Sequence, residues 1–214
     1  MDENSWKGLL ASALSILDEL ESRGMGSPEF SLGGGTVLMM RYHHRLSRDV
    51  DLFLHDAQWL AHLTPRLNDH IAAMARDYSE QANSVKLTLD DGDIDFIVSG
   101  TVTGDSPSEN LQFRGRTIPL DTSAEILAKK LYFRAALLKP RDLFDFATHY
   151  ADPSAAARGL EASAPRRAEQ RKRVEALKQA PLVALETDIL VLGDFGAWLP
   201  TLISEAAALL EGTP

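Results

Sequence analysis

The chain has 214 residues, 44% of them hydrophobic, 25% charged and 7% aromatic. That balance excludes a disordered tail, a collagen-like repeat or a coiled-coil rod and leaves a globular protein of one or two domains. No apolar run is long enough to span a bilayer, and the acidic start MDENSWKGLL is unlike a basic secretory leader, so a cytoplasmic protein without membrane partners is expected. With 0 Cys, disulfide frameworks, thiolate zinc sites and cysteine nucleophiles are all excluded. The net charge of −9 disfavours a surface that coats nucleic acid, so any RNA contact must be local. The stretch 164–178, with Arg166, Arg167, Arg171, Lys172, Arg173 and Lys178 against Glu169 and Glu175, reads equally as a solvated helix face or as a phosphate-facing patch.

In chain order, Leu9, Leu10, Ala13, Leu14, Ile16, Leu17 and Leu20 recur at helical spacing and predict a helix from Ser5 to Arg23, ended by Gly24, Gly26 and Pro28. Phe30 to Leu32 is a short strand that runs into Gly33-Gly34-Gly35. Thr36 is then placed to cap a helix from Val37 to about Tyr42. Val50 to Leu54 is a strand, and Asp56 to Tyr78 reads as mostly helical with a break near Pro65. Val85, Leu87 and Leu89 alternate with polar residues, Asp91-Gly92 turns the chain, and Asp93 to Val98 is the return strand. A further strand, Phe113 to Ile118, is ended by Pro119. Thr122 or Ser123 caps a helix to about Leu138, Pro140 starts another to about Tyr150, and helices follow near 164–179 and 195–211. Trp6, Trp59 and Trp198 read as packing residues, and Phe144, Phe146 and Tyr150 as the inner face of a helix. The fold class is therefore α/β (α+β), with a mixed helix-and-strand head over 1–120 and a helical region over 121–214.

Asp49 and Asp51 stand two residues apart at the start of a strand, so both carboxylates emerge on one face. Close carboxylates repel, and a divalent cation such as Mg²⁺ neutralises them with hard oxygen ligands. Two acids at a strand start are weak evidence alone, but Gly33-Gly34-Gly35-Thr36 lies between a strand and a helix, where glycines admit a close backbone approach and helix N–H groups attract phosphate. Asp95 lies among Ile94, Phe96 and Ile97 on a core strand and needs a partner, with the more solvated Asp93 as its rival. Three carboxylates from two strands and a glycine-rich turn describe a phosphoryl-transfer site with two metals. His43-His44 does not read as a metal pair, because adjacent helical residues point about 100° apart.

Leu32–Leu54, LGGGTVLMMRYHHRLSRDVDLFL, resembles the signature of the AbiEii/AbiGii toxin family, nucleotidyltransferases of the polymerase-beta-like superfamily. The matching residues are Gly34, Gly35 and Thr36, then His44, Arg45 and Ser47, then Asp49 and Asp51. Ala124–Ala147 is similar to a later motif of that family through Lys130, Arg141, Asp142 and Asp145. The resemblance covers residues 30 to 150. It implies a polymerase-beta-like head with a small mixed sheet flanked by helices. Gly34, Gly35 and Thr36 would hold an NTP, Asp49, Asp51 and Asp95 would bind Mg²⁺ (or Mn²⁺), and Lys130, with Lys129 as its rival, would meet the phosphates. Arg141 and Asp142 would complete or brace the nucleotide pocket, while His44 and Arg45 would be structural or position the substrate.

The resemblance further implies a toxin of a toxin–antitoxin pair, with a cognate antitoxin as partner and tRNA as acceptor. Such an enzyme moves a nucleoside monophosphate from an NTP to a hydroxyl and releases pyrophosphate. The alternatives are transfer to a protein or a small molecule, or a protein of this fold that binds a nucleotide or partner without turnover.

Overall fold

The computed structural model describes residues 4–179 and 189–212, apart from the side chains of 198–200, so Trp198 and its expected packing role lie outside the described residues. The chain divides into two compact units. The first comprises Met1–Thr36, Ser47–Gly100 and Pro107–Leu120, and the second Val37–Leu46, Thr101–Ser106 and Asp121–Pro214.

The first unit is built on a seven-stranded sheet of β1 (Phe30–Gly33), β2 (Val50–Leu54), β3 (Asp77–Gln81), β4 (Ser84–Thr88), β5 (Asp93–Val98), β6 (Glu109–Phe113) and β7 (Arg116–Leu120), in the order β3-β4-β5-β2-β1-β7-β6. The pairing is mixed: β2 runs antiparallel to β1 and parallel to β5. Alternation decides the two faces. Val50, Leu52 and Leu54 lie opposite Ile94, Phe96 and Val98, and Val85 and Leu87 opposite Phe96 and Ile94, so their side chains share one face. All of these except Val98 are fully buried. Helix α1 (Ser5–Ser22) packs on β2 and β5 with its buried stripe of Trp6, Leu9, Leu10, Ala13, Leu14, Ile16, Leu17 and Leu20. Burying each large apolar side chain of that stripe is worth about 2 kcal/mol. The face that carries Asp51, Asp95 and Lys86 is thereby turned away from this core.

Three expectations fail here. Residues 56–78 are not mostly helical: a 3-10 segment (Ala57–His62) and a short helix, α3 (Asp69–Met74), precede β3, which includes Tyr78. Residues 109–120 form a hairpin rather than one strand, because Arg114 (φ 49°) and Gly115 (φ 78°) both adopt the left-handed conformation that a tight two-residue turn demands. Pro119 does not end a strand but sits inside β7 opposite Asn110. The hairpin register directs its nitrogen toward β1, and with no N–H to give there, the β1–β7 pairing is confined to Leu32 and Leu120.

The second unit is helical. It holds the body of α2 (Gly34–Tyr42), whose first turn groups with the first unit, together with α4 (Ser123–Phe133), α5 (Pro140–Phe144), α6 (Pro153–Ala162), α7 (Arg167–Lys178) and α8 (Leu202–Glu211). Thr122 caps α4 by accepting from the Glu125 N–H, as the sequence suggests. The helix stops at Phe133, short of Leu138, and Ala135–Leu137 is a 3-10 turn. The segment starting at Pro140 is likewise α5 followed by a 3-10 stretch, Asp145–Tyr150. Phe144 and Phe146 are buried as expected, but Tyr150 is exposed and its hydroxyl donates to Glu205. Helix α6 has no counterpart in the sequence reading. It crosses α4 closely because Gly159 has no side chain: a Cβ there would lie 3.0 Å from both the Ala124 carbonyl oxygen and the Leu127 Cβ.

Thr101–Ser106 joins this unit through Glu125, whose buried carboxylate accepts from the N–H groups of Val102 and Thr103 and from the Thr103 hydroxyl. Among the described residues no helix is long and apolar enough to cross a membrane.

Candidate functional site

In the first unit, β1 ends at Gly33 and α2 begins at once with Gly34, three residues before the expected start at Val37. Thr36 therefore lies inside the first turn rather than at the cap. Its buried hydroxyl donates to the Asp49 carbonyl at 2.5 Å and ties the glycine turn to the start of β2. Gly34 is required twice over: its φ of +71° is left-handed, and a Cβ would overlap the Asp51 carboxylate. Asp51 thus lies directly against the backbone of the glycine turn, and Gly33 is its neighbour in the β1–β2 register.

Asp51 also stands opposite Asp95 in the parallel β2–β5 register, and Lys86 stands opposite Asp95 in the antiparallel β4–β5 register. Lys86, Asp95 and Asp51 consequently form a row across one sheet face. Lys86 Nζ lies 2.8 Å from Asp95 Oδ2 and 3.2 Å from Asp93 Oδ2, and the Thr88 hydroxyl donates to Asp93 Oδ1 at 2.9 Å. Burial, and next the Asp51 charge, raise the Asp95 pKa to about 6 against the opposing Lys86, with Asp49 adding to the rise. Asp93 is thus committed to Thr88 and Lys86, while Asp95 faces the other acids.

These residues suit a divalent cation by donor type and by charge. Their oxygens are hard ligands, and the mutual repulsion that lifts Asp95 is what a cation relieves. Among the described residues, however, no group of three His, Cys, Asp or Glu side chains is already gathered as a metal cage.

In the second unit, the residues matched by the two motifs meet in a buried charge cluster. Asp145 is fully buried and accepts from Arg45 Nε at 2.6 Å and Nη2 at 3.0 Å; His44 Nε2 lies 2.8 Å from Oδ1 and Lys130 Nζ 3.1 Å from Oδ2. Lys130 also lies 3.2 Å from Asp142, which accepts from Arg134 at 2.8 Å and from the Lys139 N–H at 3.0 Å. Burial alone would raise both carboxyls. Arg45 and then Lys130 overcome it at Asp145 and hold it well below the usual carboxylate range, and Lys130 and then Arg134 lower Asp142. Burial lowers the His44 pKa against the pull of Asp145, so a neutral ring donates through Nε2, while the buried Nδ1 has no hydrogen-bond partner among the described residues. The ring stacks on Phe144. The backbone of His44–Leu46 is fixed by pairing with Leu190–Leu192.

Lys129, the rival of Lys130, is bound to Asp121 at 2.7 Å and lies 3.5 Å from Glu125. Arg141 is half-buried in the first turn of α5.

The basic stretch is mostly engaged with its own unit. Arg167 donates to the Leu160 carbonyl, Arg171 to Leu210 and Arg173 to Leu138, while Arg166 pairs with Glu169 and Lys178 with Glu175. The residues that motif and spacing did not single out are Lys86 and the structural Glu125. The turn between β4 and β5 is the signal that could have placed Lys86 opposite Asp95.

A family model described as "Nucleotidyl transferase AbiEii toxin, Type IV TA system" matches residues 15–206. No curated protein matches the sequence. Among solved structures, the chain is similar to MenT4, a nucleotidyltransferase toxin from Mycobacterium tuberculosis H37Rv, at 16% identity over 100% of this chain and 87% of that one, with a TM-score of 0.48. It is also similar to the antibiotic-resistance factor ANT(2'')-Ia at 17% identity over 83% of this chain and 97% of that one, with a TM-score of 0.46.

Proposed function

The chain belongs to the AbiEii nucleotidyl transferase toxin family of type IV toxin–antitoxin systems, and from that premise we propose that it moves a nucleoside monophosphate from an NTP to an acceptor hydroxyl, with tRNA as the acceptor and a cognate antitoxin as its partner. The observation that carries this reading is the placement of Asp51 between the Gly34 turn and Asp95 on one sheet face. Asp49, Asp51 and Asp95 are the residues to hold Mg²⁺ or Mn²⁺, which when bound would supply charge neutralisation for the triphosphate.

The chain's own groups do the rest. The N–H groups of the first turn of α2, opened by Gly34 and Gly35, receive phosphate oxygens, and Thr36 holds that turn against Asp49. Asp95, opposite Asp51 on the same sheet face, is the carboxylate placed to accept the acceptor's proton. The acceptor oxygen then forms its bond to the α-phosphorus, and the bond to pyrophosphate breaks. Lys130, Arg141 and Asp142 keep the nucleotide-binding roles that the family resemblance implies, with Asp142 and Asp145 fixing the Lys130 ammonium.

One observation favours a second acceptor class. Arg167, Arg171 and Arg173 in the stretch 164–178 donate to carbonyls of their own unit and Arg166 pairs with Glu169, which ties these groups down rather than presenting them to RNA phosphates and favours a protein or small-molecule hydroxyl.

Incubating the protein with each α-³²P-labelled NTP, Mg²⁺ and total tRNA, beside an Asp49→Ala/Asp51→Ala double variant, tests both. Label on RNA from the wild type alone supports the tRNA reading. Label on protein supports the second. No labelled product with tRNA, with protein or with a panel of small-molecule hydroxyls added in turn sinks the transferase.

A further inference from the structure

Lys86 carries a function of its own in the acid row. Its ammonium touches two carboxylates of different kinds. Asp95 faces Asp51 and Asp49, whereas Asp93 is turned aside and oriented by the Thr88 hydroxyl. The Lys86 side chain is 38% exposed, against 6% for Lys129 and 10% for Lys130, so it is free to swing where those two are packed in place. The ammonium is the exposed partner of the pair, and water screening makes it a weak structural staple. It lies on the side of Asp95 away from Asp51, where its charge offsets the carboxylate that Asp51 repels.

We propose that Lys86 is a built-in counter-ion that competes with the divalent cation for Asp95 and moves over to Asp93 when the cation arrives. This rests on the metal-dependent reading above. Without a cation, Lys86 holds Asp95 Oδ2 and keeps the acid row from pushing itself apart. When a divalent ion takes Asp95, the ammonium needs only to give up its 2.8 Å contact and keep the 3.2 Å contact to Asp93, whose other oxygen Thr88 already fixes. The exchange makes cation binding weaker than the bare carboxylates would give. It also spares Lys86 from being left without a partner. Lys86 is therefore a positioning residue for Asp95 and a brake on metal affinity.

The test is a titration of the full-length protein with Mn²⁺, read by the electron paramagnetic resonance signal of free Mn²⁺, in the wild type, Lys86→Gln, Lys86→Met and Asp93→Asn. Removing the competitor is expected to tighten Mn²⁺ binding about tenfold in both Lys86 variants. Asp93→Asn leaves the ammonium no second carboxylate and is expected to weaken Mn²⁺ binding several-fold. A merely structural Lys86 would leave the affinity unchanged or loosen it on removal, and that result in a Lys86 variant that melts as the wild type does overturns the proposal while sparing the metal site. If neither the wild type nor the Lys86 variants take up Mn²⁺, the metal-dependent reading falls and the proposal with it.

Discussion

At the scale of single residues, the acid row makes stability and chemistry pull against each other. The Asp95 carboxyl titrates at about 6 in the folded chain against 3.8 in the unfolded one. The folded state holds that proton more tightly, so its contribution is complete below pH 3.8, is lost as pH rises toward 6, and stays lost above. The full shift corresponds to about 2–3 kcal/mol. Asp95→Asn is expected to abolish transfer, flatten the pH dependence of the melting temperature in that window, and raise the melting temperature above pH 6 by several degrees. Melting curves collected from pH 4 to 8 decide it, and equal slopes in both proteins would refute the assignment. Gly34→Ala acts on the neighbouring carboxylate. The new methyl group meets Asp51 on a backbone already left-handed, so transfer is expected to fall by about 100-fold or more, with a stability loss of about 1–2 kcal/mol. Single-turnover rates beside urea unfolding separate the two effects.

At the scale of elements, the second unit is organised around a carboxylate that three other residues, His44, Arg45 and Lys130, depend on through short contacts. Asp145→Ala would leave Arg45 and Lys130 buried without their shared partner and is expected to cost about 3–5 kcal/mol, measured as a shift of the urea midpoint. A loss under about 1 kcal/mol would show the cluster to be solvated. How legible each element was follows from where its signal lies. β2 and β5 were readable to the residue because each is a short run rich in apolar strand formers with polar residues at its borders. β3 is exposed throughout Asp77–Gln81 and so shows no alternation against polar neighbours. The β6–β7 turn uses Arg114-Gly115, where an Asn-Gly or Asp-Gly pair would have announced it. The glycine turn and the acids of the candidate site were local patterns and visible as such. Lys86 was not, because its meaning appears only once strands are in register, and the members of the Asp145 cluster were visible as separate motif residues but not as one cluster, which needs residues 45 and 145 to be neighbours.

At the scale of the whole molecule, the two compact units are each assembled from separated stretches of chain. The sequence places a boundary at Leu120, but Val37–Leu46 and Thr101–Ser106 group with the residues that follow it. A fragment of residues 1–120 would lack Asp145 for His44 and Arg45, Glu125 for Val102 and Thr103, and Leu190 and Leu192 for the backbone of His44–Leu46. It is expected to show no cooperative thermal transition by circular dichroism, where the full chain shows one, and a sharp melt of the fragment would disprove this dependence. The same arrangement sets a clock during synthesis. Arg45 and Asp145 are separated by 100 residues, and at about 5–20 residues per second a ribosome needs about 5–20 s to make the carboxylate after the guanidinium has been made. Until then His44 and Arg45 wait as the unpaired half of a buried contact, so the pace of translation, rather than the search of a finished chain, dictates when that core can close.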